Sequence, residues 1–375
     1  MYGFFSFYSI LFFILAFFCF IINPNQIKHK NNNLYVFICV ILLIIAGFRG
    51  ETVGGDLKRY IPEFYGVASL SDLLMIITSG SHEPGYRLFI KFLSWISSSE
   101  RCFLIGTSLV SLMGPFFLFY KYSKNSNVSL LLYFAMGFYT NTFNNVRQTM
   151  AMSVAFGSLY FLMNKQFLKY LIGILVATSF HYSAIVMLFF YPFTLKPVNF
   201  KKLLFYTIAG LSLAIASGFS IFKYVVELFF MKYDPESIME DSTGAGYGLF
   251  VFYSILFLLI TIFYFKKKKV INSEQQNMLS MFVIFQMFAM IIQLTSPIFH
   301  SMVRMTYYFF IPIITLAVPY IYSLIKNRSL KIMFYTIVFS YAIAYMGLRI
   351  YAFNQTVYSN GQGVIPYVLG ETTIF

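Results

Sequence analysis

The sequence predicts an all-α integral membrane protein, a polytopic bundle of about 12 transmembrane helices. Of its 375 residues, 59% are hydrophobic and only 11% are charged, whereas soluble domains carry about a quarter charged residues. The mean hydropathy is +0.73. Apolar runs of roughly 12 to 21 residues recur along the chain, and the longer ones match the ~20 residues that a helix needs to cross the hydrocarbon core. A membrane β-barrel would instead show short segments of alternating polarity.

The apolar runs define the predicted helices of a single polytopic membrane domain, residues 1–375, with both termini outside. In chain order they are Phe4–Ile22, Leu34–Phe48, Cys102–Tyr120, Val128–Phe143, Thr149–Met163, Leu168–Phe180, Ala184–Leu195, Leu203–Phe222, Leu249–Phe265, Gln276–Ser296, Met305–Ile325 and Ile332–Ile350. Several are shorter than ~20 residues and are expected to be tilted, broken or re-entrant.

Basic residues between these runs predict which side each loop occupies, because cytoplasmic loops are enriched in lysine and arginine. The 16 basic residues assigned to that side are lysines except for one arginine: Lys28, Lys30, Lys121, Lys124, Lys165, Lys169, Lys196, Lys201, Lys202, Lys266, Lys267, Lys268, Lys269, Lys326, Arg328 and Lys331. The opposite, external side keeps the other 11, which include seven of the eight arginines, together with twelve of the thirteen acids.

This concentration of arginine on one side predicts an external anion-binding site. Arginine presents a planar fork that fits phosphate and carboxylate groups, whereas lysine is a hydrated point charge. The alternative is that the external charges only solvate loops.

The first external loop, residues 49–101, is predicted to carry two amphipathic helices that lie in the headgroup plane. In the first helix, apolar and aromatic residues share one face: Leu57, Tyr60, Ile61, Phe64 and Tyr65. In the second, Pro84 takes a first-turn position and an apolar stripe lies opposite Arg87 and Lys91, with partial insertion as the alternative. The second external loop, residues 223–248, ends in a glycine run that is interpreted as a flexible turn or a mobile lid.

Polar residues at the predicted membrane boundaries are the candidate site residues. Lysines at both ends of the segment 168–195 place its turn, with His181, at or just below the external surface. An ionisable residue at that depth suggests function, and the alternative is a neutral histidine hydrogen-bonded between helices. Arg147, flanked by Asn145 and Gln148, would bind a phosphate through two parallel hydrogen bonds, unless these polar residues only cap helices.

Arg304 begins a predicted helix and is followed by Tyr307 and Tyr308. An arginine at a helix N-terminus favours anions through its charge and through the helix dipole; the alternative is snorkelling to lipid headgroups. The three cysteines have no metal-like spacing, and the sequence contains no phosphate-binding P-loop, no H-E-x-x-H and no G-x-S-x-G motif. No cofactor and no metal are therefore expected.

The order of several short motifs, each at a membrane boundary, resembles the EpsG family, which is similar to the Wzy-type polymerases of bacterial surface polysaccharides. The motifs are Arg49 with Gly55-Asp56 and Tyr60, Glu83-Pro84-Gly85-Tyr86, Arg147-Gln148, His181-Tyr182-Ser183, and Arg304 with Tyr307-Tyr308. The resemblance implies a GT-C-like glycosyltransferase that joins undecaprenyl-pyrophosphate-linked oligosaccharides at the periplasmic face of the bacterial inner membrane. Its product would be O-antigen, capsule or exopolysaccharide, and a polysaccharide chain-length regulator would be a protein partner.

This chemistry assigns roles to the candidate residues. Arg49, Arg147 and Arg304 would stabilise the pyrophosphate leaving group. Asp56, Glu83 and His181 compete to be the base that takes the proton of the acceptor hydroxyl, and His181 is favoured because an unperturbed histidine titrates near neutral pH. The remaining candidates would contact the substrate: Tyr60, Asn145, Gln148, Tyr307 and Tyr308.

Three other functions fit parts of the pattern. An O-antigen ligase would use the same donor with a different acceptor. A flippase for lipid-linked sugars would need a central cationic cavity instead of a one-sided site, and a membrane acyltransferase would place its catalytic histidine deeper.

Overall fold

The computed structural model describes residues 7–21, 32–78, 83–216, 246–296, 302–356, 368–369 and 372–373, and almost all of them are helical. The helices are α1 (Phe7–Ile21), α2 (Asn32–Gly47), α3 (Leu57–Ser69), α4 (Leu73–Thr78), α5 (Pro84–Ile96), α6 (Glu100–Tyr122), α7 (Ser126–Ala135), α8 (Phe138–Asn141), α9 (Val146–Met163), α10 (Phe167–Phe180), α11 (Val186–Thr194), α12 (Phe200–Ala216), α13 (Gly246–Lys267), α14 (Ser273–Thr295), α15 (Met302–Pro312), α16 (Val318–Leu324) and α17 (Arg328–Thr356). A 3₁₀ turn, Tyr182–Ile185, precedes α11, and a π-helical turn, Ile313–Ala317, joins α15 to α16. Two short strands, β1 (Val368–Leu369) and β2 (Thr372–Thr373), pair in antiparallel fashion.

Each of the predicted apolar runs contains helix within the residues that the structure describes, so the chain is confirmed as helical there. Within the described ranges, five helices are long and apolar enough to cross a membrane: Glu100–Tyr122, Tyr247–Lys267, Ser273–Thr295, Val303–Leu324 and Arg328–Gly347. Shorter apolar helices are Phe7–Phe18, Asn33–Gly47, Ser126–Ala135, Phe167–Phe180 and Tyr182–Thr194. This pattern indicates a multi-pass membrane protein.

Two of the predicted helices are interrupted in the structure. The run Val128–Phe143 forms α7 and α8, because Gly137 between them has φ 71°, in the left-handed region that favours glycine. The run Met305–Ile325 changes to a π-helical turn directly after Pro312, whose nitrogen has no hydrogen to donate to the helical ladder. Hydropathy alone does not reveal either interruption, since the flanking residues stay apolar.

The chain divides into two compact units, residues 1–185 with 314–375, and residues 186–313. In the second unit, α14 packs against α11, α12, α13 and α15. The rings of Phe190 and Phe285 stack with 4.1 Å between their centroids. Buried Gln286 donates from Nε2 to the main-chain oxygen of Tyr253 at 2.9 Å, which ties α14 to α13.

In the first unit, α9 packs against both α6 and α10. The contact with α6 is close: the Gly114 amide donates to Ser153 Oγ at 2.8 Å, and a Cβ at Gly114 would collide with the Ser153 main chain. Small residues let membrane helices approach in this way. The contact fixes the position of α9, whose first turn carries Arg147.

Helices α3 and α5 form a layer with a shared aromatic core. Leu57, Tyr60 and Phe64 of α3 are buried together with Tyr86 and Ile90 of α5. Three residues of the predicted apolar face of the first amphipathic helix are therefore buried and Ile61 is partly buried, whereas Tyr65 is 44% exposed. Pro84 is the first residue of α5, as the sequence predicts.

The polar stripe of α5 faces α3. Lys91 Nζ donates to the main-chain oxygens of Ala68 at 2.8 Å and Leu70 at 2.6 Å, at the C-terminal end of α3, where a cation is favoured by the helix dipole. Arg87 Nε lies 4.0 Å from Glu63 Oε1, and both side chains are largely buried. The periodicity identifies this stripe but does not show which neighbour covers it.

The outward surface of α5 is consequently apolar. Its exposed side chains include Leu88, Phe92 and Ile96, and the single tryptophan, Trp95, is 74% exposed. Most of the second external loop, through residue 245, lies outside the described residues, as do Lys28, Lys30 and His300.

Candidate functional site

Glu83, Arg147 and His181 come together where three helix ends meet. Glu83 directly precedes α5, Arg147 is in the first turn of α9, and His181 directly follows α10. The Arg147 guanidinium donates from a terminal nitrogen to Glu83 Oε2 in a short ion pair. On the other side of the carboxylate, Glu83 Oε1 accepts from the Tyr182 main-chain N–H at 3.3 Å and lies 4.0 Å from His181 Nδ1.

The local structure of Glu83-Pro84-Gly85-Tyr86 explains why these residues occur together. Pro84 starts α5, and the side chain of Glu83 forms no capping hydrogen bond with that helix. Gly85 faces α10 so closely that a Cβ there would lie 2.7 Å from Ser179 Cβ. Tyr86 is fully buried and packs edge-on against Tyr60, with 5.9 Å between ring centroids. The motif therefore packs α5 against α10 and α3, and it places Glu83 beside the first turn of α9.

Glu83 is only 2% exposed, and its electrostatics are dominated by two opposing effects. Burial by itself would raise the pKa of its carboxyl group. The positive charge of Arg147, the neighbouring His181 and the hydrogen bonds that the carboxylate accepts act in the opposite direction and prevail, so the pKa lies below its ordinary value. Glu83 is therefore ionised at neutral pH.

The second partner of Arg147 is aromatic. Its guanidinium carbon lies over the Tyr60 ring, 5.8 Å from the centroid, within the range of a cation–π contact. Its Nε is buried and has no hydrogen-bond acceptor among the described residues. A buried charged donor of this kind gains considerably from an acceptor oxygen.

Ser183 fixes the imidazole of His181. The Ser183 main-chain N–H donates to Nδ1 at 3.2 Å, and Ser183 Oγ lies 2.9 Å from the same atom. A backbone donor at Nδ1 places the proton of the neutral ring on Nε2. Because Ser183 and Glu83 both approach Nδ1, they do not form a nucleophile–histidine–acid relay, in which the two partners occupy opposite ring nitrogens.

The asparagines before α9 form an amide cluster next to Arg147 in the chain. Asn145 Nδ2 donates to Asn141 Oδ1 at 2.7 Å. Asn144 is buried, and its Nδ2 has no acceptor among the described residues. Gln148, one residue beyond Arg147, is also buried. Within the described residues, Asn144 Nδ2 is thus the donor of this cluster that is left for a phosphate or sugar oxygen.

Arg49 has other partners and is only 1% exposed. It donates to the main-chain oxygens of Ala46 and Val53 and to Ser108 Oγ, and it lies over the Phe143 ring at 4.8 Å. Arg101 donates to the main-chain oxygens of Gly47 and Arg49. The two arginines thus cap the C-terminal end of α2 and order the loop that leads into α3.

Asp56 precedes α3 and is half-buried. Its carboxylate does not cap the helix, and it forms no hydrogen bond or ion pair with the described residues. The preceding Gly54 has φ 126°, and a Cβ there would collide with the Phe143 carbonyl group. The glycines of this loop therefore serve a close backbone contact.

Arg304, Tyr307 and Tyr308 lie in α15, in the second unit. Arg304 is exposed in the first turn of the helix, Tyr307 is half-buried and Tyr308 is fully buried. Among the residues that the structure describes, no group of three or more histidine, cysteine or acidic side chains could hold a metal ion.

Ser183 and the Tyr182 N–H are partners of the site that the sequence pattern does not predict. Both lie beside His181 in the chain, and this adjacency is the feature of the sequence that could have identified them. The ion pair between Arg87 and Glu63 is not predictable from the sequence, because the acidic and basic residues of one amphipathic loop can form many different pairs.

Comparison with known proteins agrees with the resemblance noted in the motifs. The chain is similar to the amylovoran biosynthesis protein AmsC of Erwinia amylovora, with 24% identity over 271 residues, 69% of this chain and 72% of that protein. No solved structure matches the chain. The family model described as "EpsG family" matches residues 32–369, which include every candidate site residue. The protein is therefore a member of the EpsG family.

Proposed function

We propose that this protein is a polysaccharide polymerase of the bacterial inner membrane. It transfers an oligosaccharide chain from undecaprenyl pyrophosphate onto the next lipid-linked repeat unit, at the periplasmic or outer face. About 12 membrane spans in a GT-C-like arrangement would carry the site. Membership of the EpsG family and the similarity to a protein of amylovoran biosynthesis support this function.

The observation that carries the proposal is the meeting of an arginine, a carboxylate and a histidine at one end of α9 and α10. Polymer transfer needs a cation at the leaving group and a base at the acceptor. Arg147, with its buried Nε, would bind the pyrophosphate together with the buried Nδ2 of Asn144.

The reaction balances with these groups alone. The acceptor hydroxyl oxygen bonds to the anomeric carbon of the donor chain, and the bond from that carbon to the pyrophosphate oxygen breaks. Its electron pair stays with undecaprenyl pyrophosphate, beside Arg147. The hydroxyl proton passes to the ring nitrogen of His181 that carries no proton in the neutral form, and the ring becomes an imidazolium cation.

The other candidate residues would bind the saccharides. Tyr60, Asn145 and Gln148 adjoin Arg147 in space or in the chain and would contact sugar rings and hydroxyls. In the second unit, Arg304 with Tyr307 and Tyr308 would form a further contact for an anionic or sugar group. Asp56 stays a candidate base, second to His181.

Arginine variants test the leaving-group assignment. Arg147→Ala should lower polymer formation by about 100-fold or more, because it removes a cation at the developing charge. Arg59→Ala is the matched control, since Arg59 is an exposed arginine of α3. Equal polymer in the Arg147 and Arg59 variants would reject the assignment.

A surface-polysaccharide gel tests the polymerase itself against the alternatives. A host that lacks the gene should lose the polymer ladder and keep a single capped repeat unit, and re-expression should restore the ladder. Loss of the single unit as well would indicate export or ligation. The flippase and the O-antigen ligase are the functions that this outcome would favour.

A further inference from the structure

Glu83 is more deeply buried than Arg147 and His181, and it connects the helices that carry them. Its Oε2 accepts from Arg147 of α9, and its Oε1 accepts from the Tyr182 N–H, 4.0 Å from His181 Nδ1. Both carboxylate oxygens are therefore occupied by donors. A carboxylate held in this way is a weak proton acceptor, because protonation would break the ion pair with Arg147.

The same geometry suits a different task. When His181 takes a proton it becomes a cation, and the Glu83 carboxylate places a negative charge 4.0 Å from its Nδ1. The Tyr182 N–H fixes the distance, since Tyr182 adjoins His181 in the chain and donates to the oxygen nearest the imidazole. Ser183 fixes the ring orientation at Nδ1.

We propose that Glu83 is an ionised positioning residue that stabilises the protonated form of His181, and that it is not the base. The proposal rests on the proposed function, in which His181 accepts the proton of the acceptor hydroxyl. It assigns Glu83 to a step that follows proton transfer, whereas Arg147 acts on the leaving group.

Among the described residues, few other titratable groups belong to the helices that surround Glu83 and His181. Helix α3 contributes Tyr60 and Glu63, α5 contributes Tyr86, Arg87 and Lys91, and α9 contributes Arg147. Glu63 is paired with Arg87, and Lys91 is hydrogen-bonded to the end of α3. Glu83 is thus the acid that the described structure places nearest to His181.

Glu83→Gln separates charge from shape. The amide keeps an oxygen that can accept from Tyr182 N–H, but it removes the negative charge beside His181. The protonated imidazole then loses its partner, so the acid limb of the pH profile of kcat/KM should shift to lower pH by about 1 unit. Glu83→Asp keeps the charge, and its acid limb should stay closer to that of the wild type.

Glu63→Gln is the matched control. It makes the same chemical change in a largely buried acid of the neighbouring helix, whose partner is Arg87 instead of His181. Its acid limb should coincide with that of the wild type. Equal shifts in the Glu63 and Glu83 variants would overturn the proposal.

A second measurement does not depend on polymer formation. The full-length protein in lipid nanodiscs, labelled with ¹⁵N-histidine, contains four histidines, and the His181 signals are assigned by their absence from the His181→Gln variant. The proposal expects the pKa of His181 to fall by about 1 unit in Glu83→Gln and to stay unchanged in Glu63→Gln.

The outcomes separate this proposal from the proposed function. If the wild type makes no polymer but the His181 titration moves in Glu83→Gln, the polymerase function fails and the link between the two residues stands. If the wild type is active and Glu83→Gln abolishes activity at every pH with the His181 titration unmoved, Glu83 is the base and the proposal is overturned.

Discussion

Gly85 in α5 lies directly against Ser179 in α10, so closely that a side chain at Gly85 would lie 2.8 Å from the Ser179 main-chain oxygen. This contact holds the start of α5, with Glu83 two residues before Gly85, against the helix that ends at His181. The distance between Glu83 and His181 therefore depends on a position that has no side chain.

Replacing Gly85 by alanine should separate α5 from α10. The added methyl group would meet Ser179 Cβ at 2.7 Å and would force one helix to move. We expect polymer formation to fall at least about tenfold, because a shift of 1 Å at a site costs more than the lost contact. Activity would be measured beside Gly66→Ala, whose added methyl group has nothing within 4 Å; similar losses in both variants would show that the contact is unimportant.

Replacing Arg49 by alanine should lower stability more than any exposed arginine does. The variant leaves the oxygens of Ala46 and Val53 without their donor, and charge-assisted hydrogen bonds of this kind contribute roughly 2 kcal/mol. The Tm in detergent should therefore fall, whereas Arg59→Ala, at an exposed arginine of α3, should leave the Tm close to that of the wild type. An Arg49→Ala protein with the wild-type Tm and no polymer would instead indicate that Arg49 binds the pyrophosphate.

The fluorescence of Trp95 should be quenched by brominated lipids. Trp95 is the single tryptophan of the chain and belongs to the exposed apolar surface of α5, whose charged residues face α3. We expect quenching to be strongest with bromines near the headgroups, where tryptophan is enriched. Aqueous iodide is the opposing probe, and stronger quenching by iodide than by lipid would place this surface of α5 in water.

The stability that Glu83 contributes should depend on pH in a defined direction. Its pKa is below the ordinary value of 4.5 because Arg147 and His181 outweigh burial. Such a carboxylate stabilises the folded protein above the unfolded pKa, and this contribution is lost as the pH falls through the folded pKa. The difference in Tm between the wild type and Glu83→Gln should therefore be large at about pH 7 and narrow below about pH 4.5; a difference that is constant with pH would contradict this.

The sequence predicts the helices better than it predicts their partners. Apolar runs identify helical positions along the chain, because burial in lipid requires long uninterrupted apolar segments. The face of α3 that carries Leu57, Tyr60 and Phe64 also follows from spacing alone. The position of a helix and its apolar face depend on residues that are close in the chain, so both can be predicted from the sequence pattern.

The site depends on contacts that are distant in the chain. Arg147 and His181 stand out separately as polar residues at membrane boundaries, but Arg147 is 64 residues from its partner Glu83. Arg49 is also an arginine at a predicted membrane boundary, like Arg147, yet it donates its hydrogen bonds to main-chain oxygens. Composition and spacing do not distinguish an arginine that binds substrate from one that caps a helix, since both need the same planar fork.

The ion pair between Glu83 and Arg147 also constrains how the protein is made. Glu83 leaves the ribosome 64 residues before Arg147 and 99 residues before Tyr182, whose N–H completes its set of donors. Until Arg147 has been made, the carboxylate has neither partner, so the contact between the start of α5 and α9 cannot yet form. The site consequently closes only after α9 and α10 have been inserted, and a chain truncated before α10 would keep its early helices without assembling the cluster.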